Sequence, residues 1–303
     1  MSAHPTSSVP NEAAPQPGNG SSPRAGDSEE SVIFLHLPKT AGTTVNRLIE
    51  WEYRLSEMYS IDPVLFEWSA AHLRKLPPER LRKIRMFKGH MLFGLHEVLP
   101  QPATYITVLR DPVDRVISAF YFMRSYKLHP LYWKLRREKW TLEDFVRNSQ
   151  RDNVQSKIVA GADYNAPCTR GIMEQAKHNL RHYFGVVGLS ERLEESLALM
   201  KIRFGWKLGS YSSFNVTRSR PKKRDLPKPT LDLIHEKNAF DIELYECGRD
   251  LFEQALAANG EEVKRLAAEL EAAKARTRGS VGALVFNARS AVRKGVNRLY
   301  SAV

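Results

Sequence analysis

The chain has 303 residues, 42% hydrophobic and 26% charged, with 46 basic against 34 acidic side chains and a net charge of +12. That is enough apolar material for one α/β domain of about 230 residues with a sizeable core, and the charge points to anionic partners. Two cysteines, Cys168 and Cys247, exclude a disulfide framework and a cysteine metal set, and no run approaches the ~20 apolar residues that span a bilayer.

Residues 1–30 contain five prolines, many serines and glycines and no aromatic residue. Such a composition cannot bury enough surface to fold, so a disordered segment is expected, and it lacks the apolar stretch of a signal peptide. Val32 to Leu35 then predict a short buried strand. Gly42 lets the backbone approach a ligand closely, and Thr43 and Thr44 open a helix whose N–H groups favour an anion. Lys39 adds a point charge beside them. A nucleoside triphosphate loop reads Gly-x-x-x-x-Gly-Lys-Ser/Thr, whereas here the lysine precedes Gly42 in a shorter loop. The lysine is wrongly placed for ATP.

A strand followed by Leu37-Pro38-Lys39-Thr40-Ala41-Gly42-Thr43-Thr44 instead resembles the 5'-phosphosulfate loop of sulfotransferases that use 3'-phosphoadenosine 5'-phosphosulfate (PAPS). It is closest to the branch of the uronosyl 2-O-sulfotransferases and their bacterial relatives. The resemblance covers roughly residues 31–258. It implies an α/β, P-loop-like three-layer fold with a central parallel sheet flanked by helices, and PAPS as sulfuryl donor without a metal. Pro38, Lys39, Thr40, Ala41, Gly42, Thr43 and Thr44 would contact that donor, with Lys39 catalytic. Golgi relatives carry a membrane anchor; with no such segment, the expected location is the cytoplasm of a bacterium.

Phe87 to Phe93 supplies the candidate base, His90. A sugar hydroxyl attacking sulfur must lose its proton as the bond forms, and an imidazole with a pKa near ~6.5 suits neutral pH. The uronosyl enzymes carry His-Gly-His here, the second histidine being the base; Lys88 replaces the first. His36, on the first strand, is expected to line the nucleotide pocket or to pack, and His96 is the fallback base.

Thr104 to Leu109 is a second strand, running into Arg110, Asp111 and Pro112. Asp111 is a good N-cap and Pro112 a good first helical residue, so Arg110 sits at the carboxyl end of a strand, where open α/β sheets bind ligands. The stretch Arg110 to Tyr121 resembles the family's 3'-phosphate motif, which implies that Arg110 and Ser118 hold the nucleotide's 3'-phosphate. A guanidinium fork suits that dianion. The same strand and Asp111 would also fit the magnesium acid of a P-loop kinase, but the cap reading accounts for Asp111 and Pro112 together.

Asp152 to Gly161 resembles an amide-rich stretch of the bacterial members near the acceptor, so Asn153 and Gln155 are candidates to hydrogen-bond sugar hydroxyls and Lys157 to meet an acidic sugar; a helix with polar outward residues ending at Gly161 is the alternative. Tyr183 to Leu189 predicts another strand, with Ser190 as the next N-cap and Leu193, Leu197 and Met200 at core spacing. Asn215 to Arg224 is a basic loop. In the relatives such a loop folds over the 3'-phosphate and adenine, which makes Thr217, Arg218 and Lys222 possible donor contacts. Leu231 to Phe252 reads as two helices broken at Asn238 to Asp241.

Residues 259–303 form a basic amphipathic helical tail. Glu261 to Ala275 has the composition of a solvent-exposed helix, and after Glu271 come seven basic residues and no acidic one. The tail could lie on an anionic membrane surface, on the domain, or on a second subunit. No helix-turn-helix, zinc spacing or RNA-binding aromatic motif supports a nucleic-acid module, and a doubly phosphorylated nucleotide with a carbohydrate or glycan acceptor accounts for the charge.

Overall fold

The structure, a computed structural model, describes residues 30–61, 66–208 and 220–277. The expectations for 1–29, for Thr217 and Arg218, and for the tail beyond 277 fall outside these. Five strands form one sheet: β1 (Ser31–Leu35), β2 (Met58–Ile61), β3 (Met86–Gly89), β4 (Ala103–Leu109) and β5 (Phe184–Leu189). Their order is β2-β3-β1-β4-β5 and every pair is parallel. Parallel strands are covered on both faces, which is why Val32 to Leu35 are an unbroken apolar run and β1 is buried at all five positions.

The helices are α1 (Gly42–Glu52), α2 (Phe66–Leu73), α3 (Pro78–Arg82), α4 (Pro112–Ser125), α5 (Tyr132–Arg137) and α6 (Leu142–Asn148). They continue with α7 (Val154–Ala160), α8 (Arg170–Tyr183), α9 (Leu193–Phe204), α10 (Lys228–Lys237) and α11 (Ala239–Thr277). Together with the sheet they make the expected α/β architecture. Ile33, Phe34, Leu35, Ile106 and Phe87 lie at the centre of the main core, each 1% exposed or less. Burying such side chains contributes about 1.5–3 kcal/mol apiece. A second, smaller core joins α4, α5, α6 and α10 through Val116, Ile117, Phe120, Leu135, Phe145 and Ile234.

Two expectations are corrected. Ser190 does not cap α9; it opens a 3-10 turn, Ser190–Arg192, and the Ser196 hydroxyl donates to the carbonyls of Leu189 and Arg192 instead. Glu261 to Ala275 is not a solvent-exposed helix. α11 breaks at Gly260 (φ 36°, ψ −116°), and beyond the break Val263, Leu266 and Leu270 are 2–4% exposed and join the main core. Lys274 pairs with Glu194 on α9 at 2.5 Å, so the folded domain runs through the expected boundary at 258.

Candidate active site

The chain leaves β1 in one direction across the sheet and returns to β4 on β1's other side. The carboxyl ends of β1 and β4 therefore flank the topological switch point, where such sheets open a crevice. The loop from β1 to α1 curls tightly, with Lys39 (φ 71°) and Ala41 (φ 64°) both left-handed. Each such non-glycine residue costs on the order of 1 kcal/mol and persists only where the surroundings enforce it. Thr40, 1% exposed, holds the curl by donating to the Leu37 carbonyl at 3.0 Å. Pro38 is half-buried in the same turn. At the N-cap of α1, Ala41 has no side-chain acceptor and no acidic residue occupies the first turn, so Gly42, Thr43 and Thr44 open a helix end suited to an anion.

Gly42 is needed for a second reason. A Cβ there would lie 2.0 Å from Cδ2 of His36, whose ring is stacked on His90 at 4.1 Å with an interplanar angle of 23°. His36 and His90 follow β1 and β3 directly, and the His36 N–H donates to the Gly89 carbonyl at 3.0 Å. Gly89 has φ 142°, and a Cβ on it would meet the Ile61 carbonyl oxygen at 2.2 Å. Glycine thus ends β3 and sets His90 on the ligand-binding edge, with His36 as its buttress.

The fallback histidine is elsewhere. His96 Nδ1 is 3.0 Å from the Tyr105 hydroxyl and its ring lies against Phe93 and Tyr183, at the amino ends of β4 and β5. Burial pushes its pKa below the ordinary histidine value. Lys88 is engaged within the core. It is 2% exposed and pairs with Glu50 of α1 at 2.8 Å.

Arg110 follows β4 and donates from Nη1 to the Lys39 carbonyl at 2.9 Å. Its buried Nε has no hydrogen-bond acceptor among the described residues, the nearest carboxylate being Glu191 at 4.0 Å. Arg220 comes into the same place from the basic loop, donating to the Asp114 carbonyl at 3.2 Å. Three cations therefore converge. Burial first, then Arg110 and Arg220, push Lys39 down to about 8, and burial followed by Arg220 lowers Arg110. The Lys39 ammonium rests 3.9 Å from the centroid of the Phe122 ring. An orphaned guanidinium nitrogen, crowded cations and an uncapped helix end fit a polyanion such as a doubly phosphorylated nucleotide.

Other expected contacts fall differently. Asp111 caps α4, accepting from the Asp114 N–H at 3.0 Å, and pairs with Lys223 at 3.0 Å, so it is engaged as a cap and not placed as a metal acid. Ser118 lies about two turns into α4 and is 5% exposed. Lys222 is exposed, and its backbone N–H donates to Asp225.

Asn153, Gln155 and Lys157 do not face an acceptor. They are 6%, 0% and 1% exposed and are satisfied internally. Gln155 accepts from the Arg110 N–H and donates to the Arg110 carbonyl, both at 2.9 Å. Asn153 accepts from the Asp241 N–H and donates to Lys237, while Lys157 pairs with Asp152 at 3.3 Å. Asp241, fully buried, in turn accepts from the N–H groups of Gln155 and Ser156. The amide-rich stretch thus braces Arg110 against the α10–α11 junction. Sequence reasoning missed Arg220, Phe122 and Asp241. Arg220 lay in the basic run singled out, but nothing in that run marks which cation turns inward.

The galactose-3-O-sulfotransferase family model matches residues 2–295. Human galactose-3-O-sulfotransferase 2 is 28% identical over 274 residues, covering 82% of this chain and 66% of that protein. Mouse galactose-3-O-sulfotransferase 3 is 25% identical over 287 residues, 84% of this chain and 64% of its own. Human heparan sulfate 2-O-sulfotransferase 1 is 26% identical over 260 residues, 75% of this chain and 72% of its own. The chain thus spans less than two thirds of the length of the galactose-3-O relatives it matches. A solved mouse sulfotransferase, SULT7A1 complexed with PAP, aligns with a TM-score of 0.34 and 14% identity over 71% of this chain and 67% of that one, too slight a likeness to bear on the site. The family model spans the β1 loop, His90 and Arg110 in a single match, and the chain belongs to the galactose-3-O-sulfotransferase family.

Proposed function

We propose that this protein transfers the sulfuryl group of PAPS to a hydroxyl of a carbohydrate, with His90 as the general base. The observation that carries the reading is the convergence of Lys39, Arg110 and Arg220 with no carboxylate closer than 4.0 Å to Arg110 among the described residues. When bound, the donor supplies a sulfur whose bond to a phosphate oxygen breaks as the acceptor oxygen attacks. His90 takes the hydroxyl proton, so the acceptor oxygen can share its electron pair with sulfur without becoming a cation. The Lys39 ammonium balances the charge gathering on the departing phosphate oxygen, and the α1 N–H groups add fixed dipoles that need no reorganisation. Arg110 and Arg220 hold and orient the nucleotide end. The names of the relatives, which act on galactose and heparan sulfate, support a carbohydrate acceptor.

The test is thermal stabilisation by 3'-phosphoadenosine 5'-phosphate without magnesium, compared with magnesium ATP. A ligand that binds only the folded state adds about 2.7 kcal/mol at a hundredfold excess over Kd. Equal or larger stabilisation by magnesium ATP would replace this reading with a kinase or NTPase.

A further inference from the structure

Exposed apolar side chains gather on one connection of the fold. Leu128, Trp133 and Tyr126 are 81%, 70% and 45% exposed; Tyr126 and Leu128 lie between α4 and α5, and Trp133 is in the first turn of α5. The connection is not slack. His129 donates to the Tyr126 carbonyl and Tyr132 to the His129 carbonyl, each at 2.9 Å, so the backbone presents these side chains to water in a fixed turn.

The patch is continuous with the transfer site. Lys39 rests on the face of Phe122, and Phe122 stacks on Tyr126 at 5.3 Å with an interplanar angle of 23°. On α5, Tyr132 and Leu135 are buried while Trp133, Arg136 and Arg137 are exposed. The spacing i, i+3, i+4 puts those three on one face. From Arg124 to Lys139 there are six basic residues and one acidic, Glu138.

An aromatic ring held at the surface offers a flat apolar face, matching the C–H face of a sugar ring, and a guanidinium beside it offers a fork for a carboxylate or sulfate. Exposed apolar surface rimmed by charge marks an interaction site. We propose that Tyr126, Lys127, Trp133, Arg136 and Arg137 form the acceptor platform and that the acceptor is an oligosaccharide bearing carboxylate or sulfate groups, its chain leading over Tyr126 toward Lys39. This rests on the sulfotransferase reading above and names the substrate class it leaves open.

The test titrates the full chain with a heparosan octasaccharide, which carries uronates, and with a neutral laminarin octasaccharide, followed by calorimetry. The acidic glycan should bind at least about tenfold more tightly than the neutral one. Trp133→Ala should weaken heparosan binding about tenfold, and Arg136→Ala with Arg137→Ala should flatten its salt dependence. Both variants should keep the wild-type thermal shift with 3'-phosphoadenosine 5'-phosphate, since none of the three residues is bonded to Lys39, Arg110 or Arg220. Equal binding of both glycans, no binding of either, or a Trp133→Ala protein that binds heparosan like wild type overturns the platform. Tighter binding of a single-stranded oligonucleotide at the same residues overturns it in favour of nucleic acid. If the nucleotide fails to stabilise the wild-type protein while heparosan binds as described, the transfer reading falls and the glycan site stands.

Discussion

Arg110 and Lys39 are joined by a hydrogen bond from the guanidinium of one to the main-chain carbonyl of the other, 71 residues apart in sequence. This bond ties the end of β4 to the loop after β1 across the switch point of the sheet. It leaves the Lys39 ammonium and the rest of the Arg110 fork available to one anion. Arg220 enters the same field, whereas Lys222 is exposed two residues later. Arg220→Ala should therefore weaken 3'-phosphoadenosine 5'-phosphate binding by roughly tenfold or more, the scale of a charge-assisted hydrogen bond. Lys222→Ala should change it by less than about threefold, as an exposed and screened charge does. Calorimetric Kd values decide this, and equal effects would mean that the loop acts only as diffuse charge.

Lys39 carries a cost in the free protein. Its folded pKa of about 8 lies below the ordinary 10.5, so folding disfavours the ammonium relative to the unfolded chain. That penalty is complete below pH 8 and fades as the pH rises from 8 toward 10.5. Lys39→Met should thus raise the melting temperature at pH 7, with the gain vanishing near pH 10.5, and should abolish transfer. Nucleotide binding should also take up protons near pH 8.5, because the anion draws the pKa back up. Calorimetry in buffers of different ionisation enthalpy reads that uptake directly; none at pH 8.5 would contradict the cation cluster.

Gln155 offers a sharper separation between a structural and an acceptor role. Its amide meets both main-chain groups of Arg110, so Gln155→Leu leaves a partly buried N–H and a partly buried C=O without this partner. Each such group costs about 1–3 kcal/mol. The variant should melt several degrees lower and bind nucleotide more weakly, while any glycan affinity stays unchanged. A glycan affinity that fell with intact nucleotide binding would return Gln155 to the acceptor.

The contrast between these residues shows what the sequence makes legible. β1, β4 and β5 are visible because parallel strands buried on both faces must be continuous apolar runs, and Asp111 with Pro112 marks a helix start by chemistry local to two residues. Gln155 is not legible in the same way. An amide looks alike whether its partner is a sugar hydroxyl or the backbone of Arg110, and the deciding partner lies 45 residues away. The stretch after Gly260 hides its contact differently. Val263, Leu266, Leu270 and Ala273 make a narrow seam at heptad-like spacing among alanines and charges, and only the backward turn at Gly260 brings that seam onto α9.

The stack from Gly42 through His36 to His90 gives the most specific prediction about catalysis. His90→Ala should lower turnover by ~10²–10⁴, the usual loss when a general base is removed, with nucleotide binding intact. His96→Ala should leave turnover within a few-fold, since its ring is engaged with Tyr105 at the far end of the strands. Gly42→Ala tests the buttress. The new methyl group would need the space of the His36 ring, so His36 must move and His90 lose its stacking partner. Misplacement of about an ångström can cost ~10² in rate, so Gly42→Ala should impair kcat well beyond its effect on nucleotide Kd. Replacing His36 by alanine removes the clash. The double variant should then be no worse than His36→Ala alone, a coupling that additive defects would not produce. Additive losses in kcat across that cycle would show that the two sites act independently and that His36 does not position His90.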